Sequence, residues 1–145
     1  MNDEESCVKR FMAHQEENPD DWEIRKIPEQ SHYIDIEAVH LRSGNKIEFQ
    51  VTKFDPEKVA DEEMHGRSDR SRDLELFVSI ACRRIQDKET HYGRDNTLNL
   101  VLLLEQLKDF PFGFDKLLEK RFSEIIFESF REIYIVCPAY NVKIK

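Results

Sequence analysis

Two alternating segments on either side of a short turn constrain this chain more than any other feature. In Tyr33–Leu41, Ile34, Ile36 and Ala38 fall on one side, and Tyr33, Asp35, Glu37 and Val39 on the other. Lys46–Phe54 repeats the period, with Ile47, Phe49 and Val51 facing one way and Glu48, Gln50 and Thr52 the other. Between them Arg42-Ser43-Gly44-Asn45 has turn chemistry. The pattern predicts a β-hairpin with one apolar face and one face carrying acids and an amide.

The rest of the chain alternates helical and strand-like periods. A helix is expected from Asn2 or Asp3 to about Glu17, with Val8, Phe11, Met12 and Gln15 on one face. Trp22–Ile27 is a short strand closed by Pro28, and Asp55–Arg70 is a polar loop. Ser71–His91 reads as a long amphipathic helix stopped by Gly93, with Leu74, Phe77, Val78, Ala81 and Ile85 at spacings of three and four. Thr97–Leu104 is a near-continuous apolar run, as in a strand buried on both faces. Phe114–Phe130 is a second amphipathic helix, and Glu132–Val136 a last buried strand before Pro138. The expected order is α-β-β-β-α-β-α-β. It implies a single α/β domain spanning 1–145, with a mixed sheet and helices on both faces.

Composition narrows the function classes. A length of 145 residues and ten Phe support a real core. No apolar run is long enough for a membrane helix, and the acidic start MNDEESCVKR lacks the apolar stretch of a secretory signal, so a cytoplasmic protein without a membrane partner is expected. Cys7, Cys82 and Cys137 are widely spaced and read as buried thiols in a reducing compartment. A formal charge of −8 weighs against nonspecific nucleic-acid binding. Local basic bias persists at Arg67, Arg70 and Arg72, and again at Arg83, Arg84 and Lys88. His14, His32, His40, His65 and His91 show no metal-ligand spacing, and no nucleotide-binding loop or nucleophile elbow is present.

The hairpin therefore carries the chemistry. Period-2 geometry sets Glu48 and Gln50 about 7 Å apart on one face. Asp35 reaches that region from the neighbouring strand, ~5 Å away. Two carboxylates and an amide oxygen suit Mg²⁺ or Mn²⁺. Glu37 shares the expected face of Asp35 and is the rival ligand; Asp35 is preferred because apolar neighbours set it deeper in the strand.

With Asp35 on one strand, Glu48-Phe49-Gln50 on the next and the order α-β-β-β-α-β, the sequence resembles the PD-(D/E)XK nuclease superfamily, the restriction-endonuclease-like fold. The resemblance implies metal ligation by Asp35 and Glu48, with Gln50 where a lysine usually orients or activates the attacking water. An amide supplies neither a base nor a cation, and Ile34 stands where the family has proline. Some branches close the following helix with a similar Lys and Tyr near the active site, which assigns phosphate contact to Lys88, with Tyr92 beside it. For Lys88 the competing reading is a solvated lysine above a Tyr that caps the core. A helix 1 carboxylate is also common in the family, and Glu4, Glu5 and Glu16 are the candidates here. The implied activity is metal-dependent phosphodiester hydrolysis on nucleic acid, DNA ahead of RNA. The alternative is a nuclease-like domain without cleavage, acting as a binding or assembly module through a protein partner. A homodimer is compatible with either.

Overall fold

In the computed structural model, residues 3–28, 34–54 and 70–145 are described, the side chains of 70–73 excepted. Tyr33, His32, His65, Arg67 and most of the expected polar loop lie outside them, as do the side chains of Arg70 and Arg72. Helix α1 spans Asp3–His14, and a 3-10 turn over Pro19–Asp21 leads into the sheet. The strands are β1 (Trp22–Lys26), β2 (Ile36–His40), β3 (Lys46–Lys53), β4 (Leu100–Glu105), β5 (Glu132–Val136) and β6 (Asn141–Lys143). The remaining helices are α2 (Arg70–Tyr92), the single turn α3 (Arg94–Thr97) and α4 (Phe114–Ser123).

The six strands form one mixed sheet in the order β1-β2-β3-β4-β5-β6. β1, β2 and β3 are an antiparallel meander; β3, β4 and β5 run parallel, and β6 returns antiparallel on the far edge. Helices cover both faces. Under α1 lie Cys7, Val8, Phe11 and Met12 against Ile36, Ala38, Phe49, Val51, Val101 and Leu103. Phe11 fits between Phe49 and Tyr134, with ring centroids at 5.8 and 4.8 Å. On the opposite face α2 and α4 pack Val78, Ala81, Ile85, Leu118 and Phe122 onto Leu100, Leu102, Leu104, Ile133 and Ile135. Because β4 feeds both cores, all six of its residues are buried, and Leu100 to Leu104 read as an unbroken apolar run.

Several boundaries differ from expectation for local reasons. Helix α1 stops at His14 rather than near Glu17. The Glu16 N–H donates to Ala13 O and the Glu17 N–H to Met12 O, and Glu16 adopts φ 61°, the bond pattern of a Schellman stop. Helix α4 ends at Ser123, not Phe130. Ser123 Oγ donates to Lys120 O, Ile126 emerges into solvent, and Phe130 takes φ 63° on the way to β5. The strand expected from Thr97 begins at Leu100, because Gly93 (φ 85°) and the α3 turn occupy the intervening residues. Strand β6 is an addition: three residues hold no readable period, and it exists because Tyr134–Val136 offers a free ladder to pair with.

The hairpin forms as the alternation predicts, with His40 N donating to Asn45 O at its neck and Gly44 at φ 75° in the turn. Its alternation breaks at one residue. Asp35 donates its N–H to Phe49 O on β3 yet accepts from Ile27 N on the other side, so β2 starts only at Ile36. In consequence Ile34, expected beside Ile36, packs instead against the α2–α4 core.

Candidate functional site

Asp35 is held at the mouth of β2 by three main-chain contacts: Ile27 N–H to its carbonyl, its own N–H to Phe49 O, and Val51 N–H to its carboxylate Oδ2 at 2.9 Å. The carboxylate thus takes the position that the next β2 peptide would fill opposite Val51. The Gln50 Nε2 donates to the same Oδ2 at 3.0 Å. Its second proton goes to the Tyr92 hydroxyl at 3.3 Å, which ties β3 to the last turn of α2. With both acceptors on the nitrogen side, the amide orientation is determined, since the reverse would set a carbonyl oxygen against a carboxylate. Gln50 is 3 % exposed, and its Oε1 meets no donor among the described residues.

Asp35 and Gln50 are therefore brought together, as the hairpin implied. Glu48 stands one step further along: its cross-strand neighbour is Glu37, not Asp35. It shares the face of Gln50, about 7 Å along the strand. Glu37 is occupied elsewhere, since Arg25 Nη2 donates to its Oε1 at 2.8 Å. Glu37 thus pairs with an arginine, whereas the hydrogen-bond donors to Asp35 are neutral.

Lys88 completes the corner from α2. Its Nζ lies 5.5 Å from the Tyr92 ring centroid, one helical turn apart on the same face. Burial pushes the Asp35 carboxyl above its ordinary range, while the Val51 N–H and the charges of Lys88 and Lys26 pull it back. Burial also raises the Tyr92 hydroxyl, with the Asp35 charge adding to it. Glu4 on α1 is raised by burial first and by Asp35 next, which locates this carboxylate in the electrostatic neighbourhood of Asp35.

Beside the corner is a cavity of about 340 Å³ lined by Thr52, Arg84, Asp87, Lys88 and His91. Thr52 follows Gln50 by two residues and so shares its face. Sequence reasoning grouped Arg84 with Lys88 as a local basic stretch near the phosphate, but did not place Thr52 or His91 in the site. Arg84, Lys88 and His91 recur at spacings of four and three, a signal that could have grouped them on one helix face.

A second buried group was not anticipated. Glu105 at the end of β4 is 6 % exposed and accepts from Arg10 on α1 at 2.9 Å. Cys7 lies beside it, its thiol pushed up to about 12 by burial with the Glu105 charge adding. Burial holds Cys137 at about 12 as well. Neither supplies a thiolate nucleophile near neutral pH.

The donor chemistry at the corner fits a hard divalent cation. Asp35 Oδ1 is not engaged by the Val51 and Gln50 donors, and Glu48 is a second carboxylate two residues from Gln50 on β3. Among the described residues no three His, Cys, Asp or Glu side chains converge as a metal-holding group. Mg²⁺ characteristically takes one or two carboxylates and fills its shell with water and substrate phosphate, so a sparse oxygen set suits it.

Compared with family models, curated proteins and solved structures, the chain matches none. No helix among the described residues is long and apolar enough to cross a membrane.

Proposed function

We propose that this chain is a metal-dependent nuclease of the PD-(D/E)XK type, hydrolysing phosphodiester bonds in nucleic acid, DNA ahead of RNA. The observation that carries this reading is the Asp35 carboxylate, fixed by Gln50 and Val51 beside a cavity lined by Arg84 and Lys88. Partly buried carboxylate chemistry and phosphate-binding cations occur within one corner of the sheet. The restriction-endonuclease-like architecture is supported by the α1-β1-β2-β3 meander and the α2 crossover into a parallel β4.

In this reading Asp35 and Glu48 hold Mg²⁺ or Mn²⁺. Such an ion, when bound, lowers the pKa of water and offsets charge on the phosphoryl group. Gln50 fixes Asp35 with its amide nitrogen and cannot take a proton from a water. Lys88 brings positive charge toward the phosphate from a different element than the usual lysine.

The rival is a nuclease-like module that binds without cleaving, in the cytoplasm, through nucleic acid or a protein partner. The amide at position 50 favours it, since no general base is present there. Incubation of plasmid and single-stranded DNA with Mn²⁺ separates the two: cleavage by the wild type, abolished in Asp35→Ala, supports the enzyme. Absence of cleavage, together with no rise in thermal midpoint on Mn²⁺ or Mg²⁺ titration in either wild type or Glu48→Ala, supports the module.

A further inference from the structure

The geometry points to a second phosphate subsite beside the reacting position: the cavity formed by Thr52, Arg84, Lys88 and His91 holds the phosphate adjacent to the one at Asp35. This deepens the nuclease reading and rests on it for the identity of the ligand as a nucleic-acid strand.

Three observations lead there. The first is unneutralised charge. Arg10, Arg25, Arg94 and Arg121 each pair with a carboxylate. Arg84 makes no hydrogen bond or ion pair with any described residue. Lys88 lies over the face of Tyr92 and its charge acts on Asp35, and Asp87 lines the same cavity. Arg84 without a carboxylate partner, and Lys88 shared with Asp35, bring two cations to one hollow in a chain of net charge −8, a local site for an anion. Helix polarity does not account for Arg84, because the favourable effect of a C-terminal cation is confined to the last turn and Arg84 lies two turns before Tyr92.

The second is spacing. Thr52 stands two residues beyond Gln50 on β3, about 7 Å along an extended strand. That is the scale of one nucleotide in an extended backbone, so an anion at Asp35 and one at Thr52 can belong to successive phosphates. The third is donor type. A guanidinium fork, an ammonium, an imidazole and a hydroxyl are all phosphate-contacting groups.

Binding measured in EDTA tests this without cleavage or metal. Fluorescently labelled thymidine dinucleotide, with and without a 5′-phosphate, and a labelled trinucleotide are titrated with wild type, Arg84→Ala, Thr52→Val and Asp35→Asn. Arg84 is exposed on a helix, so alanine there keeps the fold, which an unchanged thermal midpoint verifies. Loss of one charge-assisted contact weakens Arg84→Ala by roughly tenfold at low salt. It also flattens the dependence of log affinity on log salt by about 0.7. Thr52→Val weakens binding to a smaller extent, and Asp35→Asn does not weaken it. If the 5′-phosphorylated dinucleotide is favoured, the source is a strand terminus. If the trinucleotide matches it, the source is an internal phosphodiester, and both support the subsite. Equal affinity and equal salt slope in wild type and Arg84→Ala overturn it. Arg84-dependent binding in a protein that neither cleaves DNA nor responds to Mn²⁺ overturns the nuclease reading instead and leaves the subsite standing.

Discussion

Gln50 and Asp35 share one hydrogen bond of 3.0 Å from Nε2 to Oδ2, and the next residue on β3, Val51, donates its N–H to the same oxygen at 2.9 Å. A side chain and a backbone amide from consecutive residues thus converge on one carboxylate oxygen. Oδ1 takes neither of these bonds, and the β2 ladder is capped without a further peptide. The arrangement holds Asp35 in one rotamer, which is what a ligand or reactive carboxylate requires.

Replacing Gln50 by Leu tests that anchor. The variant keeps the volume but removes both donors, so Asp35 retains only the Val51 N–H and the Tyr92 hydroxyl loses a partner. Chemical denaturation at neutral pH should show a loss of about 1–2 kcal/mol relative to wild type. No loss would mean that the buried amide contributes nothing to the corner.

Asp35→Asn should be more stable than wild type at neutral pH in the absence of metal. Burial raises the folded-state proton affinity of Asp35 above its ordinary value. Folding is therefore favoured while Asp35 is protonated in both states, below its ordinary value near 3.8. That stability is lost as pH rises through the raised folded value. The advantage of Asp35→Asn should consequently be absent in acid, grow above the ordinary carboxylate range and then level off. Thermal midpoints of both proteins across pH measure the sign directly; a variant less stable than wild type at neutral pH refutes it. Mg²⁺ should narrow the gap by stabilising only the wild type.

Arg10→Ala should cost about 2 kcal/mol in urea unfolding, less than the 3–5 kcal/mol typical when a fully buried pair is broken, because Arg10 is itself partly exposed. The cost arises from leaving Glu105 ionised and buried beneath α1. Adding Glu105→Leu to Arg10→Ala should recover much of the loss. If the double variant is no better than the single, the pair contributes through packing instead of charge.

Glu16→Gly should stabilise the protein by about 1 kcal/mol, since a left-handed conformation at φ 61° carries a Cβ penalty that glycine lacks. A rise in thermal midpoint of a few degrees checks this. The alternative Glu16→Val should lower it, because a branched Cβ deepens the same clash.

How far the sequence could be read is clear from individual residues. Alternation around the Gly44 turn identified the β2–β3 hairpin, and the unbroken run from Leu100 to Leu104 identified a strand buried on both faces, because side-chain period and burial are set by local geometry. The proximity of Asp35 to Gln50 followed from the same geometry. The exception at Asp35 itself did not: its N–H turns to Phe49 and its carbonyl to Ile27, a division fixed by having β1 on one side and β3 on the other. Ile34 changes core for that reason. Likewise Arg84, Lys88 and His91 are ordinary polar positions along α2 until the helix crosses β3 and sets them over Thr52. Period and propensity act within a few residues and were legible at once. Which carboxylate pairs with a cation, as Glu37 does with Arg25, and which is held by neutral donors, as Asp35 is by Gln50 and Val51, depends on partners distant in sequence, and only the packed sheet decides it.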